Sequence, residues 1–150
     1  MLRESLKSAQ VAAMKSGDKA RLGAVRLILA KLKDRDIELR TAATLPDDDT
    51  LVVEVLQKMV KQRRESIALY QQGNRQELAD AEAGELAVIE EFLPQQMGEE
   101  ETRAAIEAIK AELGASGIKD MGKVIAELKA RHGSQLDMSK ASGLVKAALA

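Results

Sequence analysis

The fold of this chain is decided by residues 56–97, LQKMVKQRRESIALYQQGNRQELADAEAGELAVIEEFLPQQM. Apolar residues recur at helical spacing on both sides of Gly73-Asn74, and Pro94 ends the pattern. The spacing predicts two amphipathic helices, about Thr50–Gln72 and about Gln76–Phe92. Helices joined by so short a turn pack antiparallel, so we expect a long helical hairpin.

Two charged residues interrupt the apolar stripes of this hairpin. Arg63 and Glu82 each lie four residues from apolar neighbours on both sides. Counted from the turn, they lie about ten and nine residues away, so the two side chains should meet. A lone charge there would cost several kcal/mol, whereas a pair roughly breaks even. We therefore predict a structural ion pair that fixes the register, with Arg64 and Glu85 as further members, rather than a binding site.

The composition favours an all-α protein, because Ala, Leu, Glu, Lys, Gln and Arg dominate and β-branched runs are few. The chain has no Cys and one His, which excludes disulfides, a cysteine nucleophile and a zinc site of the usual ligands. One Tyr, one Phe and no Trp leave almost no platform on which nucleobases could stack. We predict no metal, no cofactor and no catalytic residue.

The helical pattern continues outside the hairpin. Further helices are predicted over Leu2–Met14, from an Asp18 cap to about Arg40, over Glu99–Leu113, from an Asp120 cap to His132, and from an Asp137 cap onward. The break at Pro94–Gly98 predicts two domains, 1–94 and 95–150. The last three helices are too short to stand alone in water, so they should form a small three-helix tail domain.

Two short motifs have both a chemical and a structural interpretation. Asp47-Asp48-Asp49 could begin a metal loop, but Thr50, Leu51 and Val52 follow where further ligands would be needed. A helix cap with acidic residues at the positive end of the helix dipole is the preferred interpretation. Gly122-Lys123 at a helix start could hold a phosphate, although the pair alone is a weak signal.

The distribution of charge and hydropathy limits the classes of partner that the chain could bind. Residues 1–45 carry 10 basic and 5 acidic side chains, residues 46–100 carry 5 and 13, and residues 101–150 carry 8 and 6. Basic ends thus flank an acidic middle, which permits a local contact with nucleic acid. The charged amino terminus is unlike a signal peptide, and no apolar run approaches the ~20 residues that span a bilayer. We expect a cytoplasmic protein without a membrane partner.

Three segments carry a family resemblance. Residues 58–97, KMVKQRRESIALYQQGNRQELADAEAGELAVIEEFLPQQM, resemble the YqeY family, and DMGKVIAELKA (120–130) and DMSKASGLVKAAL (137–149) resemble its C-terminal part. That family is related to the C-terminal region of GatB, a subunit of the tRNA-dependent amidotransferase, a carbon–nitrogen ligase that amidates glutamyl- or aspartyl-tRNA. The resemblance implies a helical N-terminal part and a helical tail, which in GatB contacts the tRNA elbow.

The resemblance also implies candidate residues for contact with the RNA backbone. These are Lys119, Gly122, Lys123, Lys129 and Arg131, with Lys140 and Lys146 on the last helix as weaker candidates. One departure from the family pattern lowers the charge of this region. A basic residue is expected after Gly133, but Ser134-Gln135-Leu136-Asp137 follows here.

Three functions are consistent with these observations. The first is a non-catalytic accessory protein that binds tRNA or another structured RNA through phosphates, with no DNA partner. The second is a helical module that binds a protein of the translation machinery through the acidic middle and the charged face of Asp18–Arg40. The third is part of a carbon–nitrogen ligase whose site is completed by other subunits.

Overall fold

A computed structural model describes all residues, 1–150, and confirms an all-α fold. The helices are α1 (Leu2–Ser16), α2 (Lys19–Glu38), α3 (Asp48–Gln72), α4 (Gln76–Phe92), α5 (Glu99–Leu113), α6 (Met121–His132) and α7 (Met138–Leu149). Short 3-10 segments cover Leu39–Thr41, Ile118–Asp120 and Gly133–Gln135. None of the helices combines the length and the apolar character needed to cross a bilayer.

The chain divides into two compact units, residues 1–93 and residues 94–150. Each unit has its own cluster of buried apolar side chains. The division falls at Leu93/Pro94, where proline ends the preceding helix because it lacks the amide hydrogen and forces its neighbour into an extended conformation.

Unit 1 contains α1 to α4, and α3 and α4 form its most extensive helix contact. Its core joins Leu6 of α1 and Ile28 of α2 to Val52 and Leu56 of α3 and Ile89 of α4, all of them buried. These hairpin residues lie toward the start of α3 and the end of α4. In the remainder of the hairpin, residues 61–85, Ala79 alone is buried. We call residues 61–85 the distal arm.

The turn of the hairpin has an unexpected conformation at Asn74 and an exposed leucine after it. Asn74, with φ 57°, adopts the left-handed conformation, whereas Gly73 has an ordinary φ of −85°. Asparagine tolerates this region better than most residues with a Cβ, so glycine is not required there. Leu78 is 39% exposed, whereas its neighbour Ala79 is buried. A smaller side chain lets the two helices approach closely near their turn.

Of the caps predicted at Asp18, Asp120 and Asp137, two are confirmed and one is wrong. The Asp18 carboxylate accepts a hydrogen bond from the Arg21 amide at 3.0 Å, and the Asp137 carboxylate accepts from the amides of Ser139 and Lys140. Asp120 makes no such bond to α6, because its carboxylate accepts from the Ser116 amide at 3.1 Å. It therefore closes the loop before α6 rather than capping the helix.

The three consecutive aspartates each bind a protein group. Asp47 accepts from the Thr50 amide at 3.2 Å and caps α3, and Asp49 accepts from the Leu2 amide at 3.0 Å. Asp48 accepts from the Arg3 guanidinium at 2.8 Å, and this bond holds the pKa of its carboxyl below the ordinary value. The bonds of Asp48 and Asp49 tie α1 to the start of α3.

Unit 2 packs α5, α6 and α7 against one another. Ile106, Val124, Leu128 and Val145 are almost fully buried in its core. Thr102 is buried as well, and its hydroxyl donates a hydrogen bond to the Gly98 carbonyl at 2.8 Å. These three helices and the connections between them carry all the residues predicted to contact RNA.

Candidate nucleic-acid interface

The charges of the hairpin are paired with each other. Arg63 Nε lies 3.2 Å from Glu82 Oε2 and 2.9 Å from Glu85 Oε2. The side chains of Arg63 and Glu82 are only 18% and 21% exposed. The directions at Arg63 Nε and Glu82 Oε2 do not meet hydrogen-bond geometry, so this contact is an ionic attraction rather than a directed bond. Each half-buried charge has an opposite charge beside it, and no ligand is needed to explain either one.

Arg64, grouped with these residues in the sequence prediction, lies outside the cluster. Its Nη2 is 3.0 Å from Glu90 Oε1, and its side chain is 63% exposed. One residue of helix rotates a side chain by about 100°, which turns Arg64 away from Glu82 and toward the flank of the hairpin.

The candidate lysines of unit 2 lie on its surface. Lys119 is in the 3-10 segment before α6, Lys123 is in the first turn of α6, and Lys140 and Lys146 are on α7. All four are exposed, and none of their side chains forms an ion pair or hydrogen bond within the chain. The segment that carries Lys119 contacts α7, so these lysines lie on neighbouring elements.

Arg131, another candidate, is held by carboxylates of its own unit. Its Nε lies 2.7 Å from Glu127, and its Nη2 donates a hydrogen bond to Glu112. The Arg131 bond lowers the pKa of the Glu112 carboxyl, and the two bonds raise the pKa of Arg131. The guanidinium charge is thus largely matched within the protein. Lys129, on the same helix, is exposed.

The amino end of α6 is open to close approach. Gly122 is exposed, and a Cβ atom built on it would meet nothing within 4 Å. The helix dipole favours a negative charge beside this end, although the Met121 amide already donates to the Ile118 carbonyl of the preceding 3-10 segment. Lys119 and Lys123 add positive charge at this end.

The amino ends of the other two helices of unit 2 carry acidic side chains. A depression at the start of α5 is lined by Glu99, Glu100 and Glu101, which would repel a phosphate. The start of α7 is capped by the Asp137 carboxylate. The start of α6 is therefore the one of the three that suits an anion, although Asp120 lies beside it with its carboxylate on the Ser116 amide.

The net charge of unit 2 does not by itself favour an anion. Residues 94–150 contain eight basic and eight acidic side chains. The distribution is uneven, because Arg103, Lys110 and Arg131 pair within the unit while the four exposed lysines do not. Lys110, whose role the sequence did not reveal, also donates a hydrogen bond to the Ala148 carbonyl at 2.8 Å and so closes the end of α7.

A family model described as "Yqey-like protein" matches residues 3–149. This chain belongs to the YqeY family. Over 91 residues, which are 61% of the chain, it is 28% identical to altered inheritance of mitochondria protein 41, mitochondrial, from Kluyveromyces lactis. The match covers 45% of that protein, so the shared segment spans less than half of the yeast relative's length. The YqeY family assignment agrees with the small helical fold, and neither description names a ligand.

Proposed function

We propose that this YqeY family protein is a non-catalytic accessory protein that binds tRNA through unit 2. The observation that carries the proposal is the set of four exposed lysines without partners, two of which flank the open amino end of α6. Phosphate contacts made by Lys and by helix amides position an RNA without reading its sequence. Residues 120–130 and 137–149 resemble the C-terminal part of the YqeY family, and the relation of that family to GatB supports tRNA as the RNA. The expected compartment is the cytoplasm.

Shape recognition through the backbone agrees with the composition of the chain. Double-stranded RNA is recognised mainly through phosphates and 2′-hydroxyls, which require no aromatic side chains. Both aromatic residues, Tyr70 and Phe92, lie in unit 1. A binding surface on unit 2 must therefore work through charge and hydrogen bonds, without base stacking.

The direct test is a filter-binding titration of an in vitro transcribed glutamate tRNA at low salt. We expect Lys123→Glu to weaken binding about three- to tenfold, because it replaces an attractive phosphate contact with a repulsive one. Lys119→Glu combined with Lys123→Glu should weaken binding by more than tenfold.

The matched control is Lys33→Glu, an equal charge change at an exposed position of α2 in unit 1. It should leave affinity within about twofold of the parent, since all the proposed phosphate contacts lie in unit 2. Absence of tRNA binding, or equal losses for Lys33→Glu and Lys123→Glu, would contradict the proposal.

A module that binds a protein partner is the alternative, and exposed apolar side chains of unit 1 favour it. Ile37 on α2 is 47% exposed, and Leu45 in the loop after it is 73% exposed. Affinity capture from extract with and without ribonuclease separates the two functions. A partner that resists ribonuclease and is lost in Ile37→Lys would favour the protein-binding function.

A further inference from the structure

The end of the distal arm exposes two large apolar side chains. Leu69 on α3 is 67% exposed and Leu78 on α4 is 39% exposed. At about 100° per residue, Leu69 lies about 140° around α3 from Arg64, and Leu78 about 120° around α4 from Glu90. The Arg64–Glu90 ion pair marks one side of the hairpin, so both leucines lie toward the opposite side.

The segment that joins these leucines carries no carboxylate before Glu77, which lies next to Leu78. Residues 66–76 read SIALYQQGNRQ, although residues 46–100 contain 13 acidic side chains. The cores of protein interfaces are likewise depleted of acidic residues and enriched in Tyr and Arg. The tip of the arm therefore has the composition of an interface rather than that of the acidic surface around it.

Two opposite charges without partners lie on either side of the leucines. Glu65 precedes Leu69 by four residues, about 6 Å toward the base of the arm, and Arg75 precedes Leu78 by three residues, about 5 Å toward the turn. Both side chains are exposed, and neither forms an ion pair within the chain. Along the arm, the leucine pair thus lies between Glu65 and Arg75 at similar distances, and a second exposed carboxylate, Glu77, lies beside Leu78.

The order Glu65, leucine pair, Arg75 along the arm is complementary to the same order in a second, antiparallel copy. If a second copy is rotated by 180° about an axis through the leucines, its arm runs antiparallel to the first. Each Glu65 then faces Arg75 of the other copy, and the four leucines meet between the two charge pairs. A two-fold interface uses the same patch on both subunits, so a single complementary pair is used twice.

We propose that the tip of the distal arm is a homodimer interface, in which Leu69 and Leu78 of two copies pack together and Glu65 pairs with Arg75 across the two-fold axis. The surface available is small, and interfaces below ~1,200 Å² are usually weak and transient. We expect a dissociation constant on the order of tens of micromolar.

The test is equilibrium sedimentation of the full chain at concentrations from about 5 to 500 µM, a range that brackets the expected dissociation constant. The parent protein should pass from monomer to dimer in this range. Leu69→Lys should remain monomeric throughout. The control Leu45→Lys changes another exposed leucine of unit 1 and should dimerise as the parent does.

A charge exchange then tests the pairing itself. Glu65→Arg and Arg75→Glu should each weaken the dimer at least threefold, because like charges would face each other across the axis. The double variant restores opposite charges and should regain most of the parent affinity. Circular dichroism confirms that each variant is folded before its mass is interpreted.

Three results would overturn the proposal. The first is a parent protein that stays monomeric over the whole range, and the second is a dimer that Leu69→Lys leaves intact. The third is a double charge variant no better than the single ones. If Leu69→Lys lowered tRNA affinity without any change of mass, the tip would instead contact RNA.

Discussion

The hairpin of unit 1 and the surface of unit 2 use charge in opposite ways. In the hairpin, Arg63 lies on an apolar stripe and is enclosed by Glu82 and Glu85 of the facing helix. In unit 2, Lys119 and Lys123 are exposed beside a helix start and have no partner in the chain. Both are unusual placements of charge, but the first is balanced within the fold and the second is not.

The difference shows which charged side chains stabilise the fold and which are available to bind a ligand. A half-buried charge with a partner at about 3 Å contributes to register and to the choice of one packing arrangement. An exposed cation without a partner adds little to stability and is available to bind an anion. Changes at the hairpin should therefore alter stability, whereas changes at the lysines should alter binding.

The largest expected effect on stability is at Arg63. Arg63→Ala leaves Glu82 and Glu85 unpaired in a half-buried position, and it should lower the free energy of unfolding of unit 1 by about 2 kcal/mol. Urea titration followed by tyrosine fluorescence measures this, because Tyr70, in the same unit, is the only tyrosine.

A double-mutant cycle sharpens this prediction. Glu82→Ala should cost about as much as Arg63→Ala, and the double variant should cost clearly less than the sum of the two. Additive losses would show that the residues are not coupled. Arg64→Ala is the control, since that side chain is 63% exposed and its pair should be worth about 0.5 kcal/mol or less.

A smaller effect is expected where Arg3 joins Asp36 and Asp48, with oxygen contacts of 2.8 Å to each. Arg3→Gln should destabilise unit 1 by about 1 kcal/mol at pH 7, a value discounted because Asp48 is half exposed.

The pH dependence of this difference follows from the lowered pKa of Asp48, whose main cause is the Arg3 bond. The folded state binds fewer protons there than the unfolded state, so the pair stabilises the protein above about pH 4. The difference between parent and Arg3→Gln should shrink as the pH falls below 4 toward the folded pKa. A difference that stays constant from pH 7 to pH 2.5 would contradict this assignment.

A comparable or smaller effect is expected from the cap of α7. Asp137→Ala removes the acceptor for the amides of Ser139 and Lys140 and should cost about 0.5–1 kcal/mol. Hydrogen exchange at the start of α7 should accelerate accordingly. Asp137→Asn keeps a side-chain acceptor and should recover most of the loss, whereas equal exchange rates in all three proteins would exclude a capping role.

Local signals in the sequence predicted much of the fold. The apolar periodicity located every α-helix, and the Asp18 and Asp137 caps depend only on residues two or three positions away. Arg63 and Glu82 could be paired by counting because a short turn fixes the antiparallel register of two helices.

Contacts between elements distant in sequence could not be predicted in this way. Arg3 reaches Asp36 and Asp48 only after α1, α2 and α3 have packed, and periodicity says nothing about which helices meet. The bond from the Ser116 amide to the Asp120 carboxylate was missed because a carboxylate at a helix start can accept from either the helix or the preceding loop. Likewise, the sequence could not show that Arg131 is held by Glu112 across 19 positions, which leaves Lys119, Lys123, Lys140 and Lys146 as the available cations.

The smallest effect on stability is expected when the four exposed lysines of unit 2 are changed together. The same variant gives the most direct test of the central claim. Changing Lys119, Lys123, Lys140 and Lys146 to Gln should alter the free energy of unfolding by less than about 0.5 kcal/mol, because all four are exposed. The decisive measurement is the salt dependence of tRNA affinity for the parent and this quadruple variant. Four phosphate contacts predict a parent slope of log K against log salt of about −3, and the variant slope should approach zero. A quadruple variant that keeps the parent slope and affinity would contradict the assignment of RNA binding to unit 2.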